Sequence, residues 1–458
     1  MAMIVPVLTN NVVFPAKYKS AYIYPICFVV ALGGVLFGFD LVIISGTVPF
    51  FTVFFHLDEF DTGWAVGCIN IGAALGALVA GKLSAAIGRK KLLLICSFLF
   101  ALTGIATGWA PGFTLFIVAR LLSGVAVGVA ALVCPMYIAE IAPAAMRGRL
   151  VSFYQLAIVT GLLLAYLSNY LLLNSGVNNW RWMFTSQTVP SLLFFAGLFF
   201  VPESPRWLIS KNRLAAAKKI LTSIGGEVHA DAEMGSIQKS FSQEVRGNIS
   251  ALFKKDVFHI VLIGMAVAFF SQADGQNSLF SYAPVIFRQA GMAEDAAFLQ
   301  SVIIGVINFV FTFIAIVFID KIGRRKLLLV GSVLLMIDAL ALAYCFYIGA
   351  PGYFTLIFVL CFIAIYSATL GPVTWVVLSE IFPNRIRSSA MGLATLVLWI
   401  ANFITTASFP ILKTHFGLHI TFAIHAAICL LYFLFIKARV PETKGKSLEE
   451  IEIQLTRN

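Results

Sequence analysis

The sequence IGRKKLLL at Ile87–Leu94 returns as IGRRKLLL at Ile322–Leu329, 235 residues later. Each copy lies between the end of one long apolar segment and the beginning of the next. Two further motifs recur in the same order at nearly the same offset, which chance would rarely produce. They are Glu140, Pro143 and Arg147 against Glu380, Pro383 and Arg387, and VPES at Val201 against VPET at Val440. The sequence therefore predicts two homologous halves.

Apolar segments long enough to cross a membrane, about 20 residues each, occur twelve times. The 458 residues are 60% hydrophobic and 12% charged, with a mean hydropathy of +0.94, which is too apolar for a soluble globule. The predicted spans are 22–48, 63–83, 92–110, 113–138, 150–173, 183–201, 257–287, 297–319, 327–349, 354–378, 388–411 and 418–437. We predict an all-α integral membrane protein with twelve transmembrane helices in two pseudo-symmetric six-helix bundles.

The duplication divides the chain into four parts. Residues 1–204 and 257–440 are the predicted bundles, 205–256 a cytoplasmic linker with short helices, and 441–458 a cytoplasmic tail. All but four of the 32 Lys and Arg residues fall in the tails, in the linker or in loops on the same side as the linker. Because positive residues are retained on the cytoplasmic side, both termini are predicted to be cytoplasmic in a plasma membrane.

Several other classes of function do not fit the sequence. The net charge of +11 is spread over many loops rather than collected on one domain, so no nucleic-acid partner is expected. The seven cysteines and six histidines show neither metal-ligand nor catalytic spacing. No complete phosphate loop is present. We therefore expect a non-enzyme with no catalytic residue, cofactor, metal or obligate protein partner, in a lipid bilayer.

Longer strings resemble the sugar porter family of the major facilitator superfamily, which includes bacterial sugar–proton symporters and glucose facilitators. They are GGVLFGFDLVIISGT, Arg120 with LLSGVAVG, PMYIAEIAPAAMRGR, VPESPRWL, GPVTWVVLSEIFPNRIR and VPETKGKSLEE. The resemblance covers nearly the whole chain. It implies proton-coupled symport of a small neutral sugar or polyol by alternating access, in a bacterial inner membrane. A proton-independent facilitator is the alternative, and a non-transporting solute sensor is a remoter one because the tails are short.

Ionisable residues deep within predicted helices are Asp40, Arg120, Asp274 and Asp338. A charge at the bilayer centre costs roughly 2.5 to 3.5 kcal/mol, so each should be paired or functional. GxxxG pairs that begin at Gly34 in helix 1 and at Gly124 in helix 4 predict a close seam, across which Asp40 and Arg120 would meet. By resemblance, Asp40 takes up the proton and Arg120 tunes it. A permanent structural ion pair is the alternative.

Helix 7 contains the stretch SQADGQNS around Gly275, which is typical of a broken helix that lines a cavity. Amides donate and accept hydrogen bonds, and an aromatic ring suits the C–H side of a sugar. By resemblance, the sugar-contact positions are Gln155, Gln272, Asn277, Asn308 and Trp375. Interhelical hydrogen bonds or interfacial anchoring are the alternatives. Further amide positions of the family are lost at Leu162, Ser271 and Leu398, so its commonest sugars do not follow directly.

Two more groups of residues are expected to act as gates. The group that contacts the solute or gates its path is Asp274, Gln276, Tyr282 and Gly371. The inner-gate group is Arg89, Glu140, Arg147, Arg324, Glu380 and Arg387. We expect Glu140 and Glu380 to pair with arginines of the GRK and GRR loops and so to latch the inner face in the outward-open state. Exposed surface pairs worth about 0 to 1 kcal/mol are the alternative.

Overall fold

The computed structural model describes residues 4–9, 12–243, 252–383, 386–446 and 450–451. The chain begins with a two-stranded antiparallel hairpin, β1 (Ile4–Thr9) and β2 (Val12–Lys17). Every later element of the described chain is helical, so the predicted all-α membrane class is confirmed. The hairpin is an addition that the sequence analysis did not predict. Parts of the predicted linker and tail lie outside the described residues.

The first half contains seven helical segments that make six crossings. They are α1 Ser20–Phe54, α2 Glu59–Ile87, α3 Arg89–Gly108, α4 Phe113–Ile141, α5 Ala144–Leu172, α6 Asn179–Ser186 and α7 Thr188–Phe199. Short loops make successive helices antiparallel. The side chain of Asp58 caps α2 by accepting a 2.7 Å hydrogen bond from the Asp61 N–H, as aspartate commonly does at a helix start. The last two segments form one crossing because Gln187 between them keeps helical angles.

Two linker helices follow, α8 Pro205–Ser210 and α9 Leu214–Gln243. The α8 helix begins with a Ser204 cap and Pro205 in its first turn, a typical helix start. The Trp207 indole N–H donates to the Ala85 carbonyl at 3.0 Å, which ties α8 to the end of α2. The chain from Pro205 to Gln243 is thus largely helical.

The second half makes six crossings with seven helical segments. Two of the crossings are each broken into two helices, and one long helix contains two crossings. Its segments are α10 Lys255–Ala273, α11 Gln276–Gln289, α12 Glu294–Ile322, α13 Arg324–Tyr347, α14 Gly352–Ala368, α15 Leu370–Ile381 and α16 Arg387–Arg439. The predicted break in the seventh crossing is confirmed, because Gly275 has a left-handed φ of +104°. The tenth crossing breaks at Thr369, since Pro372 has no N–H to bond the Ala368 carbonyl.

Ten helices in the described chain are long and apolar enough to span a membrane. The α6–α7 crossing is not among them because each segment is short. The α16 helix is counted as one spanning helix, although it contains the last two crossings. The chain reverses direction between them at Gly417, which has a φ of +78°. With these two corrections the count is twelve crossings, as predicted.

The predicted glycine seam between α1 and α4 is wrong. A Cβ added at Gly38 would lie 1.9 Å from the Ile158 carbonyl oxygen of α5, and one at Gly128 would lie 2.0 Å from the Ala73 carbonyl oxygen of α2. The GxxxG glycines of α1, Gly34 and Gly38, therefore pack on α5, and those of α4, Gly124 and Gly128, pack on α2. GxxxG spacing indicates a close helix contact, but it does not identify the partner helix.

The antiparallel order gives the molecule two distinct ends. We call the end that carries the loops at Gly88 and Gly323 the basic face, and the other end the opposite face. Toward the opposite face the Asn70 amide donates to the Thr406 hydroxyl at 3.3 Å. The Tyr166 hydroxyl donates to the Phe280 carbonyl at 2.8 Å. Toward the basic face, no hydrogen bond or ion pair joins the halves among the described residues.

Candidate functional site

A buried ion pair lies at the centre of the first half. Asp40, near the middle of α1, accepts a 2.6 Å hydrogen bond on Oδ1 from the Arg120 guanidinium of α4. The Ser123 hydroxyl, one turn further along α4, donates to Oδ2. Asp40 and Arg120 are each 1% exposed. The predicted contact between them is therefore present, although the glycine seam that suggested it is not.

The Arg120 guanidinium has unused hydrogen-bonding capacity. Its Nε and one terminal nitrogen have no partner among the residues that the structure describes. The ring of Phe184 lies 5.8 Å from the guanidinium carbon, close enough for a cation–π contact. Because arginine stays charged in proteins, the Asp40 carboxyl group lies against a permanent cation.

The broken seventh crossing gathers a chain of amides. The Asn277 side chain donates to Gln272 Oε1 at 2.8 Å, and the Gln276 side chain donates to Asn277 Oδ1 at 2.6 Å. These hydrogen bonds span the break, so Gln272 at the end of α10 meets two residues at the start of α11. The Gln276 Oε1 atom is buried without a partner within the described part of the chain. The amides thus leave one buried acceptor open among the described residues.

The other predicted sugar contacts are distributed over three helices. Asn308 of α12 accepts a 2.7 Å hydrogen bond from the Ser367 hydroxyl of α14, so its carbonyl oxygen is partly used. Gln155 on α5 is half-buried. Trp375 on α15 is 38% exposed. Gln272 and Asn277 are thus brought into direct contact, whereas Asn308 bonds to a different helix.

The predicted gate residues lie on the two broken crossings. The Tyr282 hydroxyl donates to the Thr406 carbonyl at 3.0 Å, and its ring stacks on Phe409 with centroids 4.7 Å apart. This fixes α11 against the part of α16 that also meets α2. Gly371 lies after the Thr369 break, where an added Cβ would be 3.0 Å from the Tyr366 ring. Both residues therefore lie where the shape of a broken helix is determined.

Trp399 is a candidate that sequence reasoning missed. It lies on α16, is 3% exposed and has an indole N–H without a partner among the described residues. Its ring lies 5.8 Å from that of Phe37, which is three residues before Asp40 on α1. Buried polar groups are nearly always hydrogen-bonded, so an open indole donor between the halves suggests a ligand contact. An isolated tryptophan in an apolar helix gave no signal of this.

The inner-gate glutamates pair as predicted with arginines of the repeated loops. The Arg89 side chain donates two hydrogen bonds to the Glu140 carboxylate, of 3.0 and 2.8 Å. Arg324 reaches Glu380 with one contact of 3.2 Å. Each pair lies within one half, so neither pair bridges the two halves directly. They join α3 to α4 and α13 to α15. Each arginine is the first residue of its helix, and its glutamate lies on the neighbouring helix.

The two remaining inner-gate arginines take no part in these pairs. Arg147 in the first turn of α5 is exposed. Arg387 donates to the Phe382 carbonyl at 3.1 and 3.2 Å, which closes the turn between α15 and α16. The equal spacing of the second motif therefore records the duplication of the chain rather than two equivalent ion-pair networks.

A second acid completes each loop, and sequence reasoning missed both. Glu203 accepts hydrogen bonds from the Arg89 and Lys90 N–H groups at 3.0 and 3.2 Å, and Glu442 accepts one from the Arg324 N–H at 3.0 Å. They cap α3 and α13, where a carboxylate is favoured by the helix dipole. An added Cβ at Gly88 would lie 2.3 Å from Glu203 Oε2, so this position needs glycine. In the sequence, both of these acids belong to the VPE motif that is repeated in the two halves.

Backbone contacts also set the charge of Glu442. Burial alone would raise the pKa of its carboxyl group, but hydrogen bonds from the backbone N–H groups of Lys444, Arg324, Arg325 and Thr443 lower it overall. Stabilisation of the ionised form by hydrogen bonds has this direction. Glu442 therefore remains a carboxylate that holds the loop.

The two homologous six-helix bundles, the buried ion pair and the amide-lined broken helix define a secondary transporter of the membrane. The family model for sugar (and other) transporters matches residues 26–455. This chain therefore belongs to the sugar transporter family.

Several similar proteins are bacterial. The arabinose-proton symporter of Bacillus subtilis is 38% identical over 97% of this chain and 97% of its own length. The D-xylose-proton symporter of Escherichia coli K12 is 38% identical over 95% of this chain and 96% of its own length. An inward-open structure of the E. coli xylose transporter XylE has a TM-score of 0.86 at 36% identity, covering 94% of this chain and all of that one.

Proposed function

We propose that this protein is a symporter that couples the entry of a monosaccharide or related polyol to the entry of a proton. The observation that carries the proposal is the Asp40–Arg120 pair, in which a titratable carboxylate is 1% exposed and bound to a permanent cation. The names of its relatives, arabinose-proton and D-xylose-proton symporters, support both the solute class and the coupling ion.

In the proposed mechanism, a proton on Asp40 breaks its charge interaction with Arg120. The freed guanidinium then finds new partners for its open N–H groups, and this alters how α1 and α4 meet the second half. A ligand or proton can shift such an equilibrium only by its differential affinity for the two states. One proton driven by 100 mV supplies about 2.3 kcal/mol, enough for roughly 50-fold accumulation of a neutral solute.

The solute site lies between the halves, with most of its contacts from the second. The amides of Gln272 and Asn277, with Asn308, bind hydroxyl groups, and the Trp399 indole N–H donates to one of them. Gln155 contributes from the first half, and Trp375 covers an apolar side of the ring. Asp274, Gln276 and Tyr282, with Gly371, set the shape of the cavity wall. A neutral polyhydroxylated solute fits this set because the amides offer both donors and acceptors.

The basic face is proposed to be cytoplasmic in a bacterial inner membrane, with both termini on that side. Residues 1–204 and 257–440 move as two units, joined by 205–256 and followed by the tail 441–458. The hydrogen bonds between the halves lie toward the opposite face, and the similarity to an inward-open relative agrees with this. The structure is accordingly assigned to the inward-facing state. In the outward-facing state the contacts at Asn70 and Tyr166 would open.

The test replaces Asp40 by Asn in purified protein reconstituted into vesicles. We expect uptake of labelled arabinose or xylose against a gradient to be lost, while exchange of labelled for unlabelled solute persists. Asp338→Asn is the matched control, since Asp338 is a buried acid of α13 outside the proposed machinery, and it should keep concentrative uptake. Concentrative uptake by the Asp40→Asn protein would overturn coupling at this site. Wild-type uptake without proton flux would favour the facilitator instead.

A further inference from the structure

A second acid is buried at the break in the seventh crossing. Asp274 is 0% exposed and immediately precedes Gly275, the left-handed residue between α10 and α11. Its Oδ1 atom accepts a 3.1 Å hydrogen bond from the Gln276 N–H. Its Oδ2 atom has no partner among the described residues. No ion pair is formed by Asp274 within the described chain, so it differs from Asp40 in lacking a cation.

A histidine covers the same break from α16. The His425 ring lies against Gly275, where an added Cβ would be 2.7 Å from the ring carbon Cγ. Its Nδ1 atom lies 3.3 Å from the Ala273 carbonyl oxygen, which requires a proton on Nδ1. Its Nε2 atom is then an acceptor, and it has no donor in the described part of the chain. His425 is 4% exposed, so solvent does not supply one.

The other groups that face Asp274 are neutral. They are Tyr366 of α14 and Cys429 and Tyr432 of α16. A buried carboxylate without a cation is costly in a membrane interior, and the α11 N-terminus reaches only one of its two oxygens. A proton on Oδ2 removes the charge and creates a hydroxyl donor. Such a donor and the open His425 acceptor lie at the same break.

We propose that Asp274 and His425 form a second proton-binding site, in the half that lacks Asp40. In the conformation seen here Asp274 Oδ2 carries the proton and His425 is neutral. The binding step transfers a proton from a hydronium ion of the aqueous phase to one carboxylate oxygen, so one O–H bond of the hydronium ion breaks as the carboxyl O–H bond forms and water is released. His425 Nε2 accepts the proton when α11 moves, which leaves a carboxylate beside an imidazolium ion.

The site is connected to the solute contacts by hydrogen bonds. Asp274 binds the Gln276 N–H, and the Gln276 side chain donates to Asn277, which in turn donates to Gln272. A solute that draws these amides together moves the start of α11, and with it the environment of Asp274. The connection to the solute rests on the proposed function, whereas the proton site itself does not. The two statements can therefore be tested separately.

Infrared difference spectroscopy of the purified protein tests the proton site without any solute. The starting variant carries both Asp40→Asn and Asp338→Asn. Among the described residues, Asp274 is then the acidic side chain that remains buried in the membrane-spanning helices. We expect a protonated-carboxyl carbonyl band at neutral pH that disappears when Asp274→Asn is added. His425→Gln should shift the pH at which the band is lost, which keeps the test decisive if the triple variant does not fold. A band of unchanged intensity without Asp274, or no band in the starting variant, would overturn the proposal.

Solute exchange by the Asp40→Asn protein tests the connection. Its rate should still change severalfold with pH, and Asp274→Asn should remove that change. A pH-independent rate together with a clear Asp274 band would restrict the site to proton binding without coupling. Loss of exchange in every variant, with the band intact, would contradict the proposed transport function and leave the proton site standing.

Discussion

The two halves of the molecule hold their buried charge in different ways. In the first half, both oxygens of Asp40 have partners, one of them the Arg120 cation. In the second half, Asp274 has one oxygen without a partner and no neighbouring cation within the described chain, and Gln276 and Trp399 also keep unpartnered hydrogen-bonding atoms there. The two homologous halves thus differ. The first contains a buried charge pair with every carboxylate oxygen bonded, and the second contains a polar site with unpartnered atoms among the described residues.

This difference indicates a division of roles after duplication. Under the proposed function, a proton on Asp40 opens the closed pair, and the first half is then the part of the molecule that responds to pH and membrane potential. Open donors and acceptors are costly when buried, so the second half gains most when a ligand fills them. The interface between α1 and α16, where Phe37 meets Trp399, is where one response can reach the other.

Breaking the closed pair should have the largest effect. Replacing Arg120 with Gln leaves Asp40 buried without a cation and should destabilise the protein by about 3 to 5 kcal/mol. Adding Asp40→Asn should recover most of that loss, because the uncompensated charge is gone. Chemical denaturation of the purified single and double variants measures both values. Equal stability of the Arg120→Gln protein with and without Asp40→Asn would contradict a charge pair of this strength.

Removing an open donor should weaken solute binding and leave the fold intact. Trp399→Phe keeps a ring but deletes the indole N–H, so we expect roughly tenfold weaker sugar binding, about 1.4 kcal/mol, with no loss of thermal stability. Trp207→Phe is the matched control, since its N–H bonds to Ala85. It should lower stability and spare affinity. Titration of intrinsic fluorescence and thermal unfolding separate the two; unchanged affinity in Trp399→Phe would remove Trp399 from the site.

The duplicated ion pairs at the basic face should differ in strength. Glu140 receives two hydrogen bonds from Arg89 and is 9% exposed, whereas Glu380 receives one from Arg324 and is 24% exposed. Glu140→Gln should therefore cost about 1.5 to 3 kcal/mol, and Glu380→Gln about 1 kcal/mol or less. Melting curves of the two variants in one detergent make the comparison. The reverse order would mean that the single contact is the stronger one.

The smallest effect concerns the cap at Glu442. Because its folded pKa is lowered, its stabilising contribution is present above its unfolded pKa and is lost as pH falls through the lowered folded value. The melting temperature of Glu442→Gln should therefore lie slightly below that of the wild type at neutral pH. The gap should close on acidification. A gap that widens at low pH would contradict the assignment of Glu442 as an ionised cap.

Local features were predictable from the sequence, and features that depend on helix neighbours were not. The twelve crossings and the Gly275 break follow from composition and from glycine's tolerance of left-handed angles. The partners of Gly38 and Gly128, the confinement of each ion pair to one half and the role of Trp399 depend on tertiary packing. The β1–β2 hairpin has a local signal in the two Val-containing runs on either side of Asn10 and Asn11.

The contact between α2 and α16 at the opposite face offers a practical means of control. A Cβ added at Gly63 would lie only 2.1 Å from the Ala407 carbonyl oxygen, so this closure tolerates no side chain at that position. A bulky residue at Gly63 would wedge the halves apart there and arrest the cycle with the opposite side exposed. Such an arrested protein would be a suitable antigen for antibodies or nanobodies that recognise one conformation and report its population in living cells.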